Sequence, residues 1–246
     1  MLASLPMYDL PALHGAHDRF WQGIRNALGY GPETLTRTGN LWDHWQAPDL
    51  LLSQTCGFPY RAHLHDKVQL VASPDFGLDG CPEGYYNSVF LTRRADGFIT
   101  LEEVAGKRFA FNEAMSQSGW AAPKVHLDSL DIPLGSLLQT GAHALSAAAV
   151  AEGRADFASL DAQTWRLLEA HTPLGEQLAI TAHTVPTPAL PYITALGQNA
   201  EEIRTAMERA LVHLDASDRA ALGLKGLVTI SSETYLAVST PEPPQI

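Results

Sequence analysis

No run of lysine or arginine occurs anywhere in the 246 residues, and the balance is acidic: 16 Lys+Arg against 27 Asp+Glu, a formal net charge of -11. A groove that tracks nucleic acid needs clustered cations, so a nucleic-acid partner is not expected. No segment approaches the ~18 uninterrupted apolar residues that a membrane span requires. The opening MLASLPMYDLPALHG has neither a basic leader nor a long apolar stretch, so no secretory signal is expected in it. Cysteine is scarce. Cys56 and Cys81 suit one disulfide in an oxidising compartment or two unrelated thiols in a reducing one. Internal repeats are missing, and a short alanine run is the one biased stretch.

What is present describes an ordinary globular chain, 46% hydrophobic and 17% charged. Its length allows one large α/β domain or two lobes of roughly 100 residues each. Short apolar runs alternate with helical patterns from end to end, which predicts an α/β fold with largely parallel pairing. Strands are expected at residues 2–8, 49–53, 67–72, 86–93, 107–112, 134–139, 155–160, 177–181 and 192–196. Helices are expected at 13–28, 57–64, 118–130, 143–152, 161–170, 201–214, 217–222 and 232–238, with a helical turn at 101–106. Pro123 is placed to divide the helix at 118–130. The proline-rich stretch 184–191 reads as a linker, and the tail 240–246 as frayed. The block 87–185 is self-contained, so residues 1–86 and 186–246 form one lobe and 87–185 an inserted second one. The chain then crosses twice, an arrangement suited to hinge closure over a ligand cleft between the lobes.

Two turns carry the chemistry. In Ser116-Gln117-Ser118-Gly119 a strand ends and a helix opens, so serine hydroxyls lie beside free backbone N–H groups, and Gly119 permits close approach to the backbone. Alone, this is also the pattern of an ordinary capped helix. In Thr140-Gly141-Ala142-His143 the same order recurs. A neutral His143 can donate one N–H to an oxyanion, although a lone histidine on an alanine-rich helix has a bland reading too. Both turns follow strands of one lobe, and ligands of open sheets bind outside the carboxyl ends of strands. Two helix N-termini that converge suit a small anion despite the acidic balance. The opposing wall is expected from the turn after the first strand, with Tyr8, and from the segment after 49–53, with Gln54, Thr55 and Tyr60. Asp161 follows the strand 155–160. It serves either as a helix N-cap or as a partner for an amine or hydroxyl of the ligand.

The order of these features resembles the phosphate/phosphonate-binding components of ABC importers, of the type II periplasmic binding protein superfamily. The resemblance rests on Pro6-Met7-Tyr8-Asp9, the stretch 49–60, Tyr86-Asn87-Ser88-Val89, residues 101–109 and 112–119, Thr140-Gly141-Ala142-His143 with Ser146, Gly153-Arg154-Ala155-Asp156, and Leu160-Asp161. It implies a two-lobed α/β fold, a small oxyanion ligand, an ABC permease as partner, a monomer, and a periplasmic location. By position it implies that Ser116, Ser118 and His143 contact the anion. Gln117 stands where the family has a small hydroxyl residue. No cofactor and no metal are implied.

Two other readings are open. The fold also resembles cytosolic enzymes acting on small carboxylates or phosphorylated metabolites, with Cys56 as nucleophile or His143 with Asp161 as an acid–base pair. Metal ligation by His63, His65, His14, His17 and Cys56 is the other, but no second cluster at a recognisable spacing completes a site. The tryptophans are expected in cores, with Trp120 a candidate to line the cleft.

Overall fold

The computed structural model describes residues 1–97 and 100–245; the last residue of the tail expected to fray, Ile246, lies outside them. In chain order the strands are β1 (Leu2–Ala3), β2 (Leu50–Gln54), β3 (Val68–Asp75), β4 (Tyr85–Tyr86), β5 (Ser88–Arg93) and β6 (Phe109–Phe111). They continue with β7 (Leu137–Gln139), β8 (Phe157–Asp161), β9 (Leu178–His183), β10 (Thr187–Pro188), β11 (Tyr192–Ala195) and β12 (Gly226–Val228). The chain divides into two compact units, Met1–Tyr85 with Pro188–Ala237, and Tyr86–Thr187 with Val238–Ile246. The short ribbon of β4 and β10 lies where the chain changes unit.

The first unit holds a five-stranded sheet in the order β1-β2-β11-β3-β12. β1 pairs parallel with β2, whereas β11 runs antiparallel to both β2 and β3, and β12 antiparallel to β3. β2 is buried along its whole length, as its unbroken apolar run requires of a strand covered on both faces. The helix His14–Leu28 buries Phe20, Trp21 and Ile24 and stops at Gly29, whose φ of 79° only glycine adopts readily. It packs on the helix Ala200–His213. Gly23 marks the crossing: a methyl there would sit 3.1 Å from Ala210 Cβ.

Tyr235 ties the end of this unit to its centre. Its hydroxyl donates to Ala189 O at 2.6 Å and accepts from Ser73 Oγ at 2.6 Å, and its ring meets Tyr60 edge-on at 5.3 Å. Tyr235→Phe strands a buried carbonyl and a buried hydroxyl, so a loss of about 1–3 kcal/mol is expected in urea unfolding. An unchanged midpoint would refute that role.

The second unit holds a sheet in the order β7-β6-β8-β5-β9. β6 is parallel to both β7 and β8, while β5 is antiparallel to β8 and β9. Its core is aromatic. Phe90, Phe109, Phe111 and Phe157 are fully buried, with Phe109 and Phe157 ring centroids 4.9 Å apart. The expected helix at 118–130 is two pieces, a wide π turn Gln117–Ala121 and the helix Ala122–Ser129. Pro123 sits in the first turn of the latter, where its missing N–H breaks no intrahelical bond.

Three expectations change. Pairing is mixed rather than largely parallel, because β5, β11 and β12 run against their neighbours. The first strand is two residues long, and Pro6 and Met7 already form a turn. The stretch 184–191 is extended, but Ala189 and Leu190 are buried in the first unit, so its end is core and not a loose tether.

Candidate functional site

In the second unit the sheet order places β6 between β7 and β8, all three parallel. Their carboxyl ends therefore share one edge. The segments that leave that edge are 112–119 after β6, Thr140–His143 after β7, and Asp161 at the end of β8. The first two are joined directly. Thr140 N and Gly141 N donate to Phe111 O and Asn112 O at 2.9 and 2.8 Å, and Thr140 Oγ1 also donates to Phe111 O at 3.1 Å.

The turn Ser116–Gly119 is buried and held from several sides. Ser116 Oγ accepts from Gly119 N at 2.9 Å, the cap that its position suggested. Ser159 Oγ, in the middle of β8, donates to Ser118 O at 2.8 Å. Gly119 has no room for a side chain: a methyl would lie 1.9 Å from Asn112 Oδ1 and 3.1 Å from Ser116 Oγ. Trp120, a candidate to line a cleft, is instead buried, its ring 5.3 Å from Phe111 and its indole N–H donating to Glu242 O at 3.0 Å.

His143 opens the helix His143–Ala151 and reaches the neighbouring turn: its Nε2 is hydrogen-bonded to Ser118 Oγ at 2.9 Å. Burial holds the imidazole pKa down at about 4, so the ring is uncharged at neutral pH. The residue as a whole is half-buried, but its Nδ1 is closed off from solvent. The N-cap of this helix is Ala142, which has no side-chain oxygen and makes no cap. The N–H groups of that first turn therefore find no acceptor in the N-cap side chain, and the helix dipole adds partial positive charge there.

The other expected residues divide. Ser146 is buried beside the same turn, hydrogen-bonded to Thr140 Oγ1 at 2.7 Å, so it braces the loop. Asp161 is buried and caps its helix, accepting from Thr164 N at 2.9 Å. Gln117 and Tyr86 are both buried within the second unit. In the first unit Tyr8 and Gln54 are buried, and the Tyr8 ring packs edge-on against Phe76 at 5.0 Å. Gln54 donates from Nε2 to Leu190 O at 3.0 Å, and Thr55 N donates to Pro191 O at 3.0 Å. Tyr60 belongs to the core, its hydroxyl donating to Ser232 Oγ at 2.9 Å. Gln54 and Tyr60 are thus engaged in holding the first unit together, a use set by partners more than a hundred residues away.

Sequence reasoning passed over Ser159 and Thr140 as bracing groups. A lone serine inside the apolar strand FASLD was the available signal for the first, since a buried hydroxyl needs a partner. His143 is paired with Ser118 and not with Asp161, and Cys56 is buried and outside any disulfide. Among the described residues no group of three or more His, Cys, Asp and Glu is arranged to hold a metal, and no helix is long and apolar enough to cross a membrane.

Two compact α/β units, each built on a mixed five-stranded sheet, fit a two-lobed periplasmic-binding-protein fold. The family model for the periplasmic substrate-binding protein of phosphonate ABC transporters matches residues 49–235. This chain belongs to that family. Among solved structures it is similar to PhnD1 from Prochlorococcus marinus in complex with methylphosphonate, with a TM-score of 0.75 and 15% identity, covering 96% of this chain and 94% of that one. It is also similar to a binding protein component of an ABC phosphonate transporter from Pseudomonas aeruginosa, with a TM-score of 0.72 and 14% identity over 96% and 82% of the two chains. A more distant likeness is MatC from Rhodopseudomonas palustris with bound malate, with a TM-score of 0.58 and 14% identity over 96% and 92%. Comparison with curated protein sequences finds no match. The family is the substrate-binding component of an importer, so a small ligand and a permease are its partners.

Proposed function

We propose that this chain binds a small oxyanion of the phosphonate or phosphate type and delivers it, as a monomer, to the permease of an ABC importer. The anion end of the ligand is received in the second unit by Ser116, Gln117, Ser118, Gly119 and the first turn of the helix His143–Ala151. Asp161 faces an amine or hydroxyl on the remainder of the ligand. The observation that carries this reading is the 2.9 Å contact between Ser118 and His143 across two adjacent parallel strand ends. It joins a capped glycine turn to a helix N-terminus that has no cap of its own. Neutral donors and helix dipoles of this kind hold small anions without a net positive charge.

A thermal-shift screen tests it with methylphosphonate, inorganic phosphate, sulfate and malate. A ligand that binds the native state at a hundred times its Kd stabilises by about 2.7 kcal/mol, a rise of several degrees in Tm. Methylphosphonate or phosphate is expected to give the larger rise. No shift with any of the four anions would sink the reading, and a shift with malate alone would move the ligand class to carboxylates.

A further inference from the structure

The chain changes unit three times and not twice. Besides the crossings at Tyr85–Tyr86 and Thr187–Pro188, it leaves the first unit at Ala237 and belongs to the second from Val238 on. Both ends of this third passage are fastened. On the first unit the helix Ser232–Leu236 closes with Ala237 N donating to Glu233 O at 2.9 Å. Tyr235 anchors that helix, buried and bonded through its hydroxyl to Ser73 and Ala189. On the second unit, Trp120 Nε1 donates to Glu242 O at 3.0 Å. An indole N–H can only donate, and Trp120 is 2% exposed. The Glu242 carbonyl therefore satisfies a buried donor that water does not reach.

The segment between the fasteners is short and stiff. It reads Val238-Ser239-Thr240-Pro241-Glu242-Pro243-Pro244. Each proline fixes its own φ, and the residues before prolines, Thr240 and Glu242, are driven to extended conformations. Residues 240–244 thus favour a polyproline path that offers carbonyls to a partner, the kind of segment that aromatic-lined grooves accept. Five Cα steps separate Ala237 from Glu242, a reach of at most about 18 Å. The fastener on the second unit also adjoins the site. Trp120 follows Gly119 in the chain, and its backbone N–H donates to Ser116 O at 3.2 Å.

We propose that Trp120 and the segment 238–244 form a strap, a third connection between the units that limits how far they open. A ligand held by closure of two lobes binds less tightly in proportion to the time the protein spends open. While Trp120 holds Glu242, the widest conformers lie beyond the reach of the strap. The binding-competent fraction rises, and the ligand is bound more tightly. Trp120 is a positioning residue, acting through the strap without touching the ligand. The effect on affinity rests on the oxyanion reading above, whereas the limit on opening follows from the path of the chain alone.

Three variants test it: deletion of residues 238–246, Trp120→Phe, and a strap lengthened by about six Gly and Ser residues between Val238 and Ser239. Trp120→Phe keeps a ring against Phe111 and loses the donor. The lengthened strap keeps every contact and loses only the short reach. X-ray scattering of the unliganded proteins is expected to give a larger radius of gyration for all three than for the parent. Calorimetric titration with methylphosphonate should show each bound about threefold to tenfold more weakly, the loss of roughly one net hydrogen bond of bias. Trp120→Phe placed on the deletion should add nothing further, because both remove one contact. Scattering like that of the parent in the deletion and lengthened variants overturns the strap, even if affinity falls, since the loss would then lie in the turn. A lengthened strap that scatters as the parent does, beside a deletion that opens, overturns it too, because the segment would act by packing and not by reach. Should the deletion fail to fold, the lengthened strap decides alone. A parent protein that responds to no oxyanion removes the ligand class and leaves the scattering comparison to judge the strap.

Discussion

Gly119→Ala weakens oxyanion binding by about tenfold to a hundredfold, the equivalent of the 1–3 kcal/mol that overpacking a closed site costs. The cause is steric and local. The new methyl would fall 1.9 Å from Asn112 Oδ1 and 3.1 Å from Ser116 Oγ, so either the Asn112 amide or the whole turn must move. Moving the turn disturbs the cap from Ser116 to Gly119 N and, with it, the seat of Ser118 opposite His143. Backbone conformation is not the cause, since Gly119 is not among the positive-φ glycines. Calorimetric titration with methylphosphonate measures the effect. Asn112→Ala placed on the same chain opens the space and should return part of the affinity. It leaves the bond from Gly141 N to the Asn112 carbonyl in place, so the strand ends stay joined. A Gly119→Ala protein that binds as the parent does would show that the turn yields freely and that its shape is not what receives the ligand.

That turn was legible as a helix start, and only its recurrence after a second strand of the same block raised it above an ordinary cap. Its contact with His143 was not. It depends on β7 lying beside β6, with β8 on the other side, and side-chain alternation along a strand carries no record of its neighbour or of its direction. The same limit explains why pairing was expected to be largely parallel: a buried strand reads as an unbroken apolar run in either direction. Elements too short for a period were missed outright, among them Leu41–Trp45, Leu174–Gln177 and Gly226–Val228. Tyr60 shows the opposite error. A tyrosine in a polar turn after a strand looks like a binding group until Ser232, 172 residues later, takes its hydroxyl. Long helices fared best. His14–Leu28 carries Phe20, Trp21 and Ile24 at helical spacing with a glycine stop, and both signals are local.

The largest loss of stability is expected from Phe157→Ala, about 3–5 kcal/mol in urea unfolding. Phe157 opens β8, is fully buried, and touches two other aromatic rings, Phe109 at 4.9 Å and Phe90 at 6.5 Å between centroids. Its removal leaves a cavity between strands that are hydrogen-bonded on both sides, β6 and β5, so the walls cannot collapse to fill it. Phe157→Leu keeps most of the volume and should cost markedly less. The position also bears on the site. β8 carries Ser159, which anchors the Ser118 carbonyl, and ends at Asp161. Phe157→Ala protein that is still folded should therefore bind methylphosphonate more weakly than the parent even at low temperature, while Phe157→Leu binds nearly as well. Equal midpoints for the alanine and leucine variants would mean that the core around β8 repacks, and the aromatic cluster would then not be what holds the strand ends in register.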